Sequence, residues 1–151
     1  MFPSQMSVVV ESRLECVPLA GALVRAFCFG SGLSDVQSGQ IEVAIMEAAN
    51  NSVAHAYQHE AGHPVGLVVS RHRGSLHFEV WDEGRSMDPE ILARDRSHLL
   101  EIDPDGVERA PERGRGLAMM KAIMDSVEYS VADGRNRFRM TKRILCESVT
   151  T

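Results

Sequence analysis

The stretch that decides the fold is IEVAIMEAANNSVAHAY, at residues 41–57. At 3.6 residues per turn, its small and apolar residues fall on one helix face that packs on a sheet: Ile41, Ile45, Ala48, Ser52 and Ala56. Glu47 and Asn51 are four residues apart and therefore lie together on another side of this helix. A carboxylate beside a carboxamide suits proton transfer and the binding of one hard cation such as Mg²⁺. The alternative is a solvated helix face, the commoner meaning of an isolated E-x-x-x-N.

Segments on both sides of this helix predict its partners. An earlier helix is expected from Pro18 to about Gly30, and the decisive helix begins after an N-cap at Ser34 or Asp35. Residues 114–124 are expected to be helical after two glycines. Alternating or β-branched segments predict strands at residues 6–16, 65–72, 75–81, 127–132 and 138–145. This order predicts an α+β fold, a two-layer α/β sandwich whose mixed, mostly antiparallel sheet carries helices on one face.

Composition excludes several classes of protein. The 151 residues are expected to form a single domain, residues 1–151, with a net charge of −5. This charge argues against a nucleic-acid or anionic-membrane binder. No apolar run approaches the roughly 20 residues of a membrane span, and no secretory signal is recognisable. The three widely spaced cysteines (Cys16, Cys28 and Cys146) are expected to be reduced thiols of a cytoplasmic protein.

Three further segments suggest a ligand site. Asp82-Glu-Gly84 follows the apolar strand LHFEVW, so its carboxylate can accept a hydrogen bond from an exocyclic amine. Arg113-Gly-Arg-Gly116 opens a helix, where free N–H groups and two arginines favour phosphate. Residues 91–113 predict a long loop placed where a lid would lie. Each segment also has a plain structural explanation, as a turn, a hinge or a connection.

Taken in order, these motifs resemble the GHKL (Bergerat) ATP-binding fold. The run EAANNSVAHAY at residues 47–57 is similar to the small anti-sigma serine/threonine kinases of the bacterial partner-switching type. DEG with the following MDP, RGRGLAMM, MDSV and the closing MTK match the same family. The resemblance covers nearly the whole chain, at residues 6–144.

The resemblance implies a role for each matched position. Glu47 would be the general base, and Asn51 would hold Mg²⁺ on the phosphates of ATP. Asp82 would accept from the adenine amino group, and Gly84 would let the ring approach. The phosphate-binding positions would be Arg113, Gly114, Arg115 and Gly116, with residues 91–113 as the ATP lid. Trp81 is expected in the core beside this pocket.

The resemblance also implies partners. The family phosphorylates a serine or threonine of a small STAS-fold antagonist, and it alternatively binds a sigma factor, often as a homodimer. Two positions differ from the family pattern: Ser86 stands where a second glycine often occurs, and residues 134–137 (GRNR) replace the usual Gly-Thr. The turn near adenine is therefore expected to be reshaped. The alternative is a binding module that sequesters a partner without catalysis, although keeping both Glu47 and Asn51 argues against it.

A competing motif is HEAGH at residues 59–63, which formally matches the zinc-protease pattern H-E-x-x-H. That chemistry requires both histidines on one continuous helix. Gly62 precedes the second histidine and Pro64 follows it, so the helix is expected to end before the pattern is complete. The sequence thus favours a nucleotide site over a zinc site.

Overall fold

The computed structural model describes residues 2–88, 90 and 112–144. Its three long helices are α1 (Val17–Gly30), α2 (Asp35–Asn51) and α3 (Glu112–Ile123). Its strands are β1 (Gln5–Glu11), β2 (Pro64–His72), β3 (Ser75–Asp82), β4 (Ser126–Ala132) and β5 (Arg135–Arg143). A 3₁₀ turn at Leu14–Cys16 and a π-helical turn at Ser52–Ala56 complete the described elements. The predicted lid lies almost wholly outside the described residues, which omit 91–111.

The five strands form one sheet in the order β1-β2-β3-β5-β4, and each neighbouring pair is antiparallel. Alternation along the strands separates the two faces of the sheet. On the inner face, Val69 of β2 lies opposite both Met6 of β1 and Phe78 of β3. Phe78 in turn lies opposite Met140 of β5, which is 1% exposed. The predicted α+β sandwich is confirmed.

Helix α2 begins where its sequence predicts. Ser34 is the N-cap, and its hydroxyl accepts from the backbone N–H of Gln37 while the Gln37 side chain accepts from the Ser34 N–H. This reciprocal capping box satisfies two N–H groups that a helix end otherwise leaves unpaired. Ile41 and Ile45 on the predicted apolar face are fully buried. The buried apolar face leaves the other side of α2, which carries Glu47 and Asn51, to contact a ligand.

The far end of α2 differs from the prediction. The α-helix ends at Asn51 and continues as a π-helical turn to Ala56, rather than running as an α-helix to Tyr57. The Tyr57 N–H donates to the Ser52 carbonyl at 3.0 Å, an i→i+5 hydrogen bond. Turns of this kind are rare and widen the helix locally. The widened turn lies beside the end of β3, where Asp82 is found.

Several boundaries correct the sequence interpretation. The first strand ends at Glu11 instead of residue 16, because the chain turns into the 3₁₀ segment. Helix α3 begins at Glu112, before its two glycines instead of after them. Strand β5 begins at Arg135, directly after a two-residue turn in which Asp133 and Gly134 have φ values of 54° and 73°. Positive φ at both turn positions matches the twist of a tight hairpin.

Trp81 also departs from its predicted place. It lies on the outer face of the sheet, opposite Gly66 of β2 and Arg137 of β5, and it is only half-buried. The guanidinium of Arg135 stacks over its ring at 3.8 Å from the centroid. The core instead occupies the inner face under α1 and α2. None of the helices in the described ranges has the length and apolar character needed to cross a bilayer.

Candidate functional site

A cavity of about 390 Å³ opens between the end of α2, the end of β3 and Leu117 of α3. Its volume lies within the range of small-molecule sites. Two of the predicted residues, Asn51 and Asp82, line it together. The other lining residues are His55, Ala56, Gln58, Arg85, Ser86, Met87, Asp88, Leu117, Tyr129 and Phe138. The cavity therefore brings the carboxylates of Asp82 and Asp88 and the carboxamides of Asn51 and Gln58, from distant segments, into a single space.

Asp82 is held by several donors although it is only 7% exposed. Its Oδ2 accepts from the Ser52 hydroxyl at 2.8 Å. Its Oδ1 accepts from Asn136 Nδ2 at 2.7 Å and from the Gly84 N–H at 3.1 Å. A buried carboxylate with such partners has its desolvation offset by hydrogen bonds. The side chain is thereby fixed at the cavity wall as a hydrogen-bond acceptor.

Gly84 makes close backbone contact with the end of the π-helical turn. A Cβ atom built at this position would lie 2.5 Å from the Ala56 carbonyl oxygen and 2.6 Å from its carbon. The next residue, Arg85, donates its N–H to the same carbonyl at 2.9 Å. Only glycine fits this approach of two backbones. The segment after Asp82 is therefore seated directly on the end of α2.

Glu47 and Asn51 lie one turn apart on α2, and both are half-buried. Gly116 of α3 faces Glu47, since a Cβ at Gly116 would lie 2.6 Å from Glu47 Oε2. The absence of a side chain on α3 thus makes room for this carboxylate. Among the described residues, no group of three His, Cys, Asp or Glu side chains is placed to hold a metal ion by itself. A divalent cation at Asn51 would need other ligands, such as water and phosphate oxygens.

The glycine-arginine motif is part of α3. Arg113, Gly114 and Arg115 have helical backbone, and their side chains lie outside the described part of the structure. A helix leaves its first N–H groups without intrahelical partners. Because α3 begins at Glu112, Gly114 lies in its first turn and Gly116 in its second. Helix geometry therefore favours the Gly114 N–H over the Gly116 N–H as a donor to an anion.

The sequence did not predict Tyr129 in the cavity wall or Asn136 behind it. Asn136 is 3% exposed and donates hydrogen bonds both to Asp82 and to the loop that follows it, whereas its place in the sequence indicates only a departure from the family pattern. Tyr129 accepts from the Met87 N–H at 2.9 Å. Burial raises the pKa of its phenol, the Met87 N–H lowers it, and the charge of Asp82 raises it. The strand alternation of β4 and β5 is the one sequence signal that places both residues on the inner face.

The competing zinc motif is not helical. Gln58 and His59 have φ values of 51° and 63°, which a continuous helix does not allow. The Nε2 atom of His63 lies 3.4 Å from Glu60 Oε1, and its ring stacks on Tyr57. The geometry that the zinc-protease motif requires, two histidines on one helix, is therefore missing from this segment.

Comparison with known proteins gives consistent results. Residues 10–142 match the family model described as a histidine kinase-like ATPase domain. The serine-protein kinase RsbW of Bacillus thuringiensis (strain Al Hakam) is 32% identical over 147 residues, covering 97% of this chain and 84% of the relative. The serine-protein kinase RsbW of Bacillus anthracis (strain CDC 684 / NRRL 3495) is 32% identical over 148 residues, with the same coverage.

A solved structure has a similar fold. It contains the RsbU and RsbW domains of Rv1364c from Mycobacterium tuberculosis, and its TM-score is 0.65 at 16% sequence identity. The match covers 93% of this chain and 32% of that chain, so this chain spans about a third of the longer protein. At this identity, the likeness supports the sandwich fold alone.

Proposed function

Because this chain belongs to the histidine kinase-like ATPase family, and within it to the anti-sigma kinases of the partner-switching type, we propose that it is an ATP-dependent protein serine/threonine kinase. The observation that carries the proposal is that Asn51 and Asp82 line one cavity, with Glu47 one turn before Asn51. Phosphoryl transfer needs charge neutralisation, an oriented hydroxyl and exclusion of water more than covalent help from the protein. Asn51 can hold the cation that neutralises charge, Glu47 can accept the proton of the hydroxyl, and Asp82 can hold the nucleotide base.

At the base end of the site, Asp82 is the acceptor for the amino group of adenine. Its three donors hold the carboxylate still, and Gly84 seats the loop that follows it against the end of α2. Phe138 and Tyr129 give this end aromatic surface, with ring centroids 5.0 Å apart. An acceptor beside aromatic surface suits a planar heterocycle that carries an N–H donor.

At the phosphate end, Asn51 would hold Mg²⁺, and this donor is of the right type because Mg²⁺ binds few protein oxygens and keeps water and phosphate ligands. When bound, the cation neutralises negative charge on the phosphates. The Gly114 N–H, in the first turn of α3, would donate to a phosphate oxygen. Arg113 and Arg115 would add positive charge at the same helix start, and residues 91–113 would form the lid.

Glu47 is the proposed general base. It lies on the same side of α2 as Asn51 and would accept the proton of the attacking serine or threonine hydroxyl. Simple nucleotide binding does not require a carboxylate here. A carboxylate one turn from the cation-binding amide is what distinguishes a kinase from a nucleotide-binding module.

The proposed partners are those of the partner-switching type. A small STAS-domain antagonist would be the phosphorylation substrate, and a sigma factor or similar regulated protein would be the alternative partner. The protein would act in the cytoplasm, as a homodimer. Nucleotide state and phosphorylation would change which complex is more stable, so that one population rises as the other falls.

The test compares two substitutions on α2. Glu47→Gln is expected to keep ATP binding and to lose transfer of labelled phosphate to a candidate STAS antagonist, roughly 10²-fold or more. Asn51→Ala is expected to weaken Mg-ATP binding, measured by calorimetry. Glu42→Gln is the matched control, since it makes the same charge change on α2 where the carboxylate pairs with Arg25 at 3.3 Å.

Unchanged transfer in Glu47→Gln would refute the assignment of the base. If wild-type protein forms a complex with the antagonist but transfers no phosphate to it, the chain is a binding module that sequesters its partner. The two proposals are therefore separated by one labelled-ATP assay and one complex-formation assay.

A further inference from the structure

We propose that Asn136 and Ser86 are a positioning pair that holds the Asp82 carboxylate for recognition of an amino group on the nucleotide base. The proposal rests on the proposed function, because it concerns the base end of the same site. Neither residue belongs to the motifs that suggested an ATP site. Both occupy positions where the chain departs from the pattern of the family that it resembles.

Asn136 is placed by strand register. It lies directly opposite Asp82 across β3 and β5, on the inner face of the sheet. Its Nδ2 group donates twice, to Asp82 Oδ1 at 2.7 Å and to the Gly84 carbonyl at 3.0 Å. The two hydrogen bonds tie the carboxylate to the backbone of the loop that follows it. With 3% of its surface exposed, Asn136 has little water to compete for these bonds.

Ser86 holds the other end of the Asn136 amide. The Ser86 hydroxyl donates to Asn136 Oδ1 at 2.8 Å. If the amide were reversed, its oxygen would face the Asp82 carboxylate and the Gly84 carbonyl, both of which are acceptors. Asp82 and the Gly84 carbonyl therefore fix the orientation in which the amide donates to Asp82, and the Ser86 hydroxyl anchors the amide oxygen in it. Its own backbone is unstrained, since its φ is not positive.

The hydrogen bonds of Asp82 leave one defined acceptor position. An ionised carboxylate offers about four lone-pair sites. Three are used, by Asn136, the Gly84 N–H and the Ser52 hydroxyl. Since Asp82 lines the cavity, the remaining site is available to a donor on a bound ligand. A base with an exocyclic N–H can donate there, whereas a carbonyl oxygen at the same position would be repelled.

Asn136 and Ser86 act by raising the fraction of molecules in which the Asp82 carboxylate has the orientation that binds the ligand. Without Asn136, Asp82 Oδ1 keeps only the Gly84 N–H, and the carboxylate can turn toward other partners. Apparent affinity falls in proportion to the fraction of molecules that keep the binding orientation. A hydrogen bond to a charged group is large enough to reduce that fraction about tenfold. The loss applies to ligands that use Asp82 as an acceptor.

The experiment measures the dissociation constants of Mg-ATP and of Mg-inosine triphosphate, which has a carbonyl oxygen in place of the amino group. Asn136→Ala is expected to weaken ATP binding about tenfold and inosine triphosphate binding less than twofold. Ser86→Ala is expected to weaken ATP binding about threefold, because Asp82 still favours the correct amide orientation. The matched control is Ser130→Ala, on the outer face of the sheet, which should change neither constant.

A double variant tests whether Ser86 acts through Asn136. If it does, Ser86→Ala adds no further loss in the Asn136→Ala background. Equal weakening of both nucleotides, or of neither, would overturn the proposal. If Asn136→Ala fails to fold, the comparison of ATP with inosine triphosphate binding in Ser86→Ala decides the test by itself. Wild-type protein that binds no ATP would overturn the kinase proposal as well, so the two failures are distinguishable.

Discussion

Replacing Gly116 with alanine should separate the stability of this protein from its activity. A methyl group at Gly116 would lie 2.6 Å from Glu47 Oε2, whereas ordinary contacts begin near 3.4 Å, so the oxygen must move by roughly 0.8 Å. The Glu47 Cδ and Cβ atoms, at 3.5 and 3.6 Å, are already at acceptable distances. Rotation of the end of a flexible side chain therefore relieves the overlap without moving the backbone of either helix.

The expected effect of Gly116→Ala on stability is opposite in sign to its expected effect on the rate of phosphate transfer. Gly116 lies inside α3, where alanine is favoured over glycine by about 0.5–1 kcal/mol. The free energy of unfolding should therefore rise slightly. A general base must stay within hydrogen-bond reach of the proton that it accepts, and a misplacement near 1 Å costs up to about a hundredfold in rate. We expect transfer to slow by about tenfold to a hundredfold, with ATP affinity changed less than twofold.

The assay is single-turnover transfer from labelled ATP to a candidate STAS antagonist, combined with urea unfolding and ATP calorimetry. Gly39→Ala is the control, because Gly39 lies in α2 and a Cβ there meets nothing within 4 Å. This variant should gain similar stability and keep the wild-type transfer rate. If Gly116→Ala transfers phosphate as fast as wild type while Glu47→Gln does not, Gly116 does not position the base.

Three further predictions follow from the packing. Gly84→Ala should lower the free energy of unfolding by about 1–3 kcal/mol in urea titrations, because its methyl would lie 2.5 Å from the Ala56 carbonyl oxygen; an unchanged midpoint would contradict this. Burial raises the pKa of Cys28 from 9.0 to about 12. Since only the unfolded thiol ionises between these values, Cys28 contributes a stability loss of about 1.4 kcal/mol per pH unit there, and Cys28→Ala should show a shallower decline. Because Trp81 lies on the outer face under Arg135, ATP bound in the inner-face cavity should leave its fluorescence nearly unchanged, and strong quenching on addition of ATP would contradict this placement.

Local chemistry made much of the fold predictable. Ser34, one of the two predicted N-cap positions, forms a capping box with Gln37 three residues later, and the strands predicted at 65–72 and 75–81 pair as a hairpin around Gly74. The E-x-x-x-N spacing likewise placed Glu47 and Asn51 on one side of α2, because helical periodicity is a local property. The spacing does not give the distance from Glu47 or Asn51 to residues on the other helices and strands.

Two parts of the structure differ from the prediction, one for a local reason and one because of a contact between distant segments. The prediction that Trp81 lies in the core is wrong, because alternation along β3 puts it on the face opposite Asp82, and Arg135 covers it there. The π-helical turn at Ser52–Ala56 has no strong sequence signature. It is stabilised from outside, because the Ala56 carbonyl accepts from the Arg85 N–H. The π-helical turn therefore required knowing that the loop after β3 lies against the end of α2.

The two departures from the family pattern are also connected by contacts between distant segments. Ser86 and residues 134–137 are some 50 positions apart, and each on its own suggests a weakened base-binding end. The structure brings them together, because the register of β3 and β5 sets Asn136 opposite Asp82 and the Ser86 hydroxyl donates to Asn136. The serine that stands in place of a second glycine therefore supplies the hydroxyl that donates to the Asn136 amide oxygen. A residue that is unfavourable in isolation becomes consistent with the fold once its partner is known, so Ser86 and Asn136 are better interpreted as one coupled change than as two defects.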